Sequence, residues 1–470
     1  MPDRRFAWCL IVLAIAARAA AVLVLQSHTV PHSTYEHGEI AANLLSGKGF
    51  SVHFLGADGP TSQQAPAYPL LVATAYAVGG IETPRALLIL QLGQAVLGGF
   101  LVMGVLRLAR EVAPANLRVA RGAGLIAALH PSLVYSATHV QVAGLAATLL
   151  TFALASAYRT GRSGHSRDAF TTGGWLTILT LTDPILGLAL VGAAWAIVMR
   201  KGLRDAFRPV AVMGLTLFLG LLPWTLRNYA VHGEIVAVKS TFGYAFWQGN
   251  CALSEGTDKV VRGSVETALS RSGSVLDLRT YNAAIWKARH KAGYLDDIAL
   301  TRDDYRGLAA VSEPERSRRL FHRAIADLKA EPSRYLRLSL RRLGYFVFFD
   351  DTNPKTRNAV YRASHLGLTT LAVLGLIFAG PATRRILGPT LVTVALIALF
   401  HALTIVSARF HVPIEPLLGI WAGCGLPRFR LAVPQEESAA TSHDIKRIGI
   451  VHHLHVTNPL GVRVPDGTAL

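Results

Sequence analysis

Cysteine is scarce in this chain: three among 470 residues. Cys9 and Cys424 fall inside apolar runs and Cys251 stands apart, so no disulfide framework is visible. Charge is scarce as well. Only 16% of the residues are charged, against about a quarter in an ordinary soluble protein, which argues against a soluble globular chain. Short segments of alternating polarity are missing, which excludes an outer-membrane barrel. No internal repeat is evident, so the inverted-repeat signature of many transporters is absent too.

What is present instead is apolar length. The mean hydropathy is +0.37, and many apolar runs approach the ~20 residues that carry a helix across a bilayer. The expectation is an all-α polytopic membrane protein with about ten transmembrane helices, further interfacial helices and a small outer-face (periplasmic) segment. The expected spans are 6–25, 84–106, 120–136, 140–158, 173–183 with 184–199, 209–226, 359–380, 386–406 and 411–426. Residues 67–80, too short to span comfortably, suit an interfacial or re-entrant segment. Asp183-Pro184 is expected to break 173–199 into two short helices, because proline removes a helix donor and a carboxylate is costly in an apolar run.

The formal charge of +18 does not point to nucleic acid, since much of the excess lies in short loops beside apolar runs. Arg4/Arg5, Arg107/Arg110/Arg118, Arg159/Arg162/Arg167, Arg200/Lys201/Arg204/Arg208, Arg384/Arg385 and Arg428/Arg430 then fall on one side of the membrane, the inside. The chain is accordingly expected to be a multi-pass protein of a bacterial inner membrane with its N-terminus cytoplasmic. The abundance of arginine over lysine and of alanine points to a GC-rich bacterial genome. The first apolar run reads as an uncleaved helix, being long for a signal peptide and interrupted by Arg18. Four regions follow: an N-terminal transmembrane module at 1–226 with a first outer loop at 26–83, an outer-face region at 227–358, C-terminal transmembrane helices at 359–426, and a mobile cytoplasmic tail at 427–470. Within the second, 333–349 carries Arg334, Arg337, Arg341 and Arg342 and reads as a basic amphipathic helix lying on the membrane.

In the first outer loop, "STYEHGEIAANLLSGKGFS" predicts a helix over 33–47 with Glu36, Glu39, Asn43 and Ser46 on a polar stripe. Ser33-x-x-Glu36 matches a capping box, and spacing alone favours that role for Glu36 and a solvated charge for Glu39. Arg227 and Arg409 can either snorkel to lipid headgroups or grip a phosphate through paired N–H groups. For Asp183, helix capping and function weigh equally. In "STFGYAFWQGN" (240–250), Trp247 could stack on a sugar and Asn250 bond its hydroxyls; an ordinary packed turn is the reading that spacing favours. His28, His32, His37 and His53 show no recognised zinc spacing with a definite acid partner, so no cofactor is expected, a divalent metal being possible and not indicated.

Several stretches taken in order, "YEHGEIAANLLSGKGFS", "GPTSQQAPAYPLL", "HPSLVYSATHVQ", "LPWTLRNYAVHGEI", "FGYAFWQGN" and "ARFHVPIEPLL", resemble bacterial membrane glycosyltransferases of the protein-mannosyltransferase and aminoarabinose-transferase type, in the GT-C superfamily. The resemblance covers roughly residues 1–426. It implies transfer of one sugar from a polyprenyl-phosphate carrier to a lipid, glycan or protein acceptor at the outer face, with inversion and with a first-loop carboxylate as general base. Glu36 falls at or near the position of that base, commonly Asp in the family, with Glu39 as the nearby substitute. Arg227 and Arg409 would hold the donor phosphate; Asp183, His139, Trp247 and Asn250 would position sugar and acceptor. A second acid that family members often carry after the P-x-x-x-Y stretch is replaced here by the surroundings of His139 and Gln141. The alternatives from other classes are a transporter or flippase of lipid-linked sugars and a non-catalytic glycan-binding homologue. Membrane lipids are expected partners; nucleic acid is not.

Overall fold

The computed structural model describes residues 4–30, 34–114, 116–260 and 277–425. The expected tail at 427–470, His32 and Ser33 lie outside the described residues.

The chain is mostly helical. α1 (Arg4–Leu25) leads into the first loop, which holds α2 (Tyr35–Leu45), a hairpin of β1 (Ser51–Phe54) and β2 (Ala57–Pro60), and α3 (Ala67–Gly79). Then come α4 (Pro84–Val112), α5 (Leu117–Leu129), α6 (Pro131–Tyr135), α7 (Ala143–Ser163), α8 (Ser166–Thr180) and α9 (Ala189–His232). A region of shorter helices follows: α10 (Phe242–Asn250), α11 (Leu278–Ala292), α12 (Asp296–Ala299), α13 (Arg302–Ala309), α14 (Glu313–Ala330) and α15 (Pro332–Val347). α16 (Ala359–Phe378), α17 (Pro381–Leu403) and α18 (Glu415–Gly425) close the described part.

Among the described residues, five helical stretches are long and apolar enough to cross a membrane: Arg4–Thr29, Pro84–Val112, Pro184–His232, Ala359–Phe378 and Pro381–Leu403. On the third, large apolar side chains such as Leu203, Phe207, Leu215, Phe218 and Leu226 stay exposed. A soluble protein rarely leaves so continuous an apolar surface uncovered, and such a surface suits a lipid surrounding. The break expected at Asp183-Pro184 is present: α8 stops at Thr180, and Asp183 caps a 3-10 turn at Pro184–Leu188 by accepting from the Ile185 N–H at 3.1 Å. A second break falls inside α9 at Gly202, whose φ of 77° and ψ of 166° suit glycine alone.

Small residues let the helices approach closely. A side chain at Gly375 would meet the Trp421 carbonyl at 2.0 Å, so α16 and α18 touch backbone to backbone. Arg18, which interrupts the first apolar run, is buried and donates to the carbonyls of Ala127 (2.9 Å), Ala128 (2.9 Å) and Ala14 (3.1 Å). The carbonyls of Ala127 and Ala128 lie at the C-terminal end of α5, where a helix leaves acceptors unsatisfied. The arginine is thus a clamp between α1 and α5.

Helix α15 departs from the expected surface role. Arg337 and Arg341 are exposed, but Arg342 is fully buried and donates to the carbonyls of Ala402 (2.7 Å) and Gly249 (2.6 Å) and to Asn250 Oδ1 (3.1 Å). Arg334 donates to four carbonyls between Asn250 and Ser254. Guanidiniums carry five donors in a fixed fork, and these two close the loop after α10 onto α15 and α17.

Candidate functional site

The first loop is built to hold α2 in place. In the hairpin, Leu55 (φ 49°) and Gly56 (φ 86°) both take positive φ, the requirement of the two-residue turn that joins twisted strands. Glu39 fastens this hairpin to α2, its Oε1 accepting from the His53 backbone N–H at 2.6 Å. Asn43 adds a second tie, donating to the Ser51 carbonyl at 3.0 Å. The polar stripe read from the sequence is therefore partly structural, and Glu39 belongs to that part.

Glu36 is different. It sits in the first turn of α2, half-buried, where the helix begins after Thr34 with no side-chain cap. Among the described residues its carboxylate makes no hydrogen bond and no ion pair at contact distance. The capping role needs Ser33, which lies outside the described residues. The Glu36 charge does act on Lys239, in the segment between α9 and α10.

Lys239 is the centre of the arrangement. Its ammonium donates to Gln64 Oε1 at 3.1 Å and feels the carboxylates of Asp183 and Glu36, the guanidinium of Arg409 and, more weakly, the carboxylate of Glu313. Burial lowers its pKa, and the carboxylates work against that. Arg409 is exposed and rests on the Phe410 ring at 5.5 Å, with its N–H groups unengaged among the described residues. His37, on α2, lies against Tyr68 at 4.9 Å between ring centres. Burial, helped by Lys239 and Arg409, lowers its imidazole to about 3.

That shift has a sign. The folded chain keeps His37 neutral where the unfolded chain, with an ordinary imidazole near 6.5, takes a proton. Stability is lost as pH falls below about 6.5, and the loss continues down to about 3. The unfolding temperature of purified protein is expected to fall more steeply over pH 6.5 to 4.5 than that of the His37→Gln variant. Equal slopes would remove His37 from the account.

The remaining sequence candidates are placed elsewhere. Arg227 directs its N–H groups at protein: Thr61 O at 2.6 Å, Phe50 O at 3.0 Å and Asn228 Oδ1 at 3.1 Å, with its guanidinium against Trp224 at 4.9 Å. It pins the first loop to α9. His139 is buried beside Tyr135 and Trp286, with Nε2 3.4 Å from Lys355 Nζ. Trp286 also stacks on Tyr35, so this group adjoins the start of α2. Trp247 and Asn250 need correcting as sugar contacts, because both are fully buried. Trp247 packs on Tyr244; Asn250 donates to the carbonyls of Phe246 (2.8 Å) and Thr404 (3.1 Å) while accepting from Arg342. The stretch "FGYAFWQGN" is a helix, not a turn.

Glu313 was not singled out from the sequence and organises the loop. It is buried at the start of α14 and accepts from the Ser62 N–H (2.7 Å), the Thr61 hydroxyl (2.5 Å) and the Ser240 hydroxyl (2.5 Å). Thr61 and Ser62 precede Gln64, and Ser240 follows Lys239, so one carboxylate sets the pair at the site centre. Lys239 was missed as well; its signal is a lone lysine in the apolar "IVAVKST" between two quoted motifs. A basic cavity of about 810 Å³ lined by Arg107, Arg110 and Arg167 lies apart from all this. It sits at the opposite ends of α4, α7 and α8, and its Arg162 and Arg159 are already paired with Glu111 and Asp168.

These elements define a polytopic helical membrane protein with a charged site held between its first loop, the break after α8 and the α17–α18 turn. Solved structures share the fold. An oligosaccharyltransferase, AglB of Archaeoglobus fulgidus, in complex with an inhibitory peptide and a dolichol-phosphate, matches with a TM-score of 0.51 at 15% identity, covering 90% of this chain and 50% of that one. The same organism's enzyme tethered to an acceptor peptide with the NVT sequon matches with a TM-score of 0.52 at 13% identity, covering 91% and 50%. ArnT of Cupriavidus metallidurans bound to undecaprenyl phosphate is more distant, with a TM-score of 0.38 at 13% identity over 91% and 79%. No protein-family model matches the sequence, and no curated protein does. The chain spans about half the length of the archaeal structures it matches. It shares the fold of these archaeal oligosaccharyltransferase structures.

Proposed function

We propose that the chain is an integral-membrane glycosyltransferase that moves a single sugar from a polyprenyl-phosphate carrier to a lipid, glycan or protein acceptor at the outer face of a bacterial inner membrane. One observation carries the reading: Glu36, with no hydrogen-bond partner among the described residues, acts with Asp183 on the Lys239 ammonium, where the exposed Arg409 adds a second positive charge. An unengaged carboxylate beside two cations fits a site that takes up a proton and receives a phosphate.

In this mechanism the acceptor hydroxyl attacks the anomeric carbon and gives its proton to Glu36. The bond from that carbon to the phosphate oxygen breaks, and its electron pair leaves with the lipid phosphate. Arg409 and Lys239 hold the charge that grows there. Asp183 keeps Lys239 protonated against the pull of burial. One displacement inverts the anomeric centre. The regions 1–226, 227–358 and 359–426 supply respectively the base, Lys239 and Arg409, and the arginine-rich loops set the N-terminus inside.

The test is a transfer assay with purified protein in lipid nanodiscs and radiolabelled polyprenyl-phosphate sugars, offered envelope lipid, glycan and peptide acceptors. Sugar transferred with release of polyprenyl phosphate is the expected result. Donor consumed with none of them, or donor moved across vesicles without bond cleavage, contradicts it.

A further inference from the structure

Three buried imidazoles outside the proposed site meet on one buried carboxylate. Glu415, the first residue of α18, is 0% exposed. His411 Nδ1 lies 3.1 Å and His365 Nδ1 3.9 Å from its Oε1, and His130 Nδ1 lies 3.3 Å from its Oε2. The imidazoles come from three places in the fold: the α5–α6 corner, α16, and the turn before α18. All three are buried.

The protons do not account for this convergence. His130 Nε2 faces the Ser364 carbonyl at 3.3 Å and His365 Nε2 the Val347 carbonyl at 2.9 Å. A carbonyl only accepts, so each Nε2 carries the ring proton and each Nδ1 of a neutral ring presents a lone pair. His411 Nε2 meets the Tyr361 hydroxyl at 2.7 Å, a partner that can accept in the same way. Lone pairs then point at a carboxylate that also only accepts. Among the described residues, none of the three Nδ1 atoms and neither carboxylate oxygen has a hydrogen-bond partner. Like poles buried face to face repel, unless a cation sits among them.

We propose that His365, His411 and Glu415, completed by His130, bind one divalent transition-metal ion, with zinc as the fitting choice. Ligand atoms of the first three lie within 4.8 Å of one another. Zinc held at ~2.0–2.1 Å from tetrahedral N and O ligands puts those ligands roughly 3.3 Å apart, close to two of the separations here. The Nε2 partners are the outer hydrogen bonds that fix a ligating imidazole's tautomer and orientation. Four protein ligands in a closed, buried pocket make a structural centre and not a catalytic one. Bound there, the ion ties α16 and α18 to the α5–α6 corner. It also fixes the turn that carries Arg409, two residues before His411.

The proposal is independent of any glycosyl transfer and is tested without it. Protein purified in nanodiscs is loaded with zinc sulfate, freed of excess metal and analysed by mass spectrometry for metal content. About one zinc per chain is expected, falling to background in His411→Ala. Cobalt added to metal-stripped wild type should give the intense visible absorption of a tetrahedral site, a reading that needs no variant to fold. A strong chelator should lower the unfolding temperature of wild type and leave that of His130→Gln less affected. Background zinc in wild type with no cobalt spectrum would overturn the proposal and leave the cluster to imidazolium protons. Equal zinc in wild type and a folded His411→Ala would overturn it also.

Discussion

Glu36→Gln is expected to lower the rate of sugar transfer by ~10²–10⁴-fold, the usual contribution of a general base, while donor affinity stays within a few-fold. The amide keeps the shape of the side chain and its place in the first turn of α2, so neither the helix nor the hairpin beneath it changes. What it loses is the basic oxygen. Glu39→Gln supplies the internal contrast, because Glu39 already accepts the His53 N–H and an amide oxygen can do the same. That variant should retain most of the activity. Single-turnover transfer and donor-binding measurements on the two variants separate the roles; unchanged transfer in Glu36→Gln removes it as the base.

A second substitution should act through the architecture. Glu313→Ala leaves the Ser62 N–H and the hydroxyls of Thr61 and Ser240 without their buried acceptor. A hydrogen bond to a charged group contributes ~1.5–3 kcal/mol, and three of them share one carboxylate. A loss of at least about 3 kcal/mol is expected after allowing for non-additivity, seen as a large drop in unfolding temperature. The first loop should also become open to limited proteolysis near Thr61–Gln64. Transfer activity should fall with it, since Gln64 and Lys239 lose their common anchor. A variant as stable and as protected as wild type would mean that this knot does not hold the loop.

The large-scale plan of the fold was legible because lipid imposes it. Apolar length, the proline break at Asp183-Pro184 and the helix around Glu36 all follow from local chemistry, and all three are present. The site was legible in part. Glu36, Asp183 and Arg409 carry charge where the surrounding sequence is apolar or interfacial, and the charge of each acts on Lys239. Arg227 looked equivalent, yet its donors are taken by Thr61 and Phe50, residues more than 160 positions away. No spacing rule reports such a partner. Trp247 and Asn250 failed as sugar contacts for the same reason: α14 and α15 cover them, and only the tertiary structure says so. Glu313 and Glu415 were silent because a buried acid reads like any other acid until its donors are known. The histidines that cluster come from three distant segments, whereas the first-loop histidines that drew attention form no such group among the described residues.

The most direct test of the central claim is the lipid and glycan profile, by mass spectrometry, of a strain from which this chain has been deleted, with and without complementation by Glu36→Gln. Loss of one sugar from an envelope acceptor is predicted, with build-up of the matching polyprenyl-phosphate sugar. Wild type should restore the profile and the variant should not. An unchanged profile in the deletion strain, or full restoration by Glu36→Gln, would contradict the account.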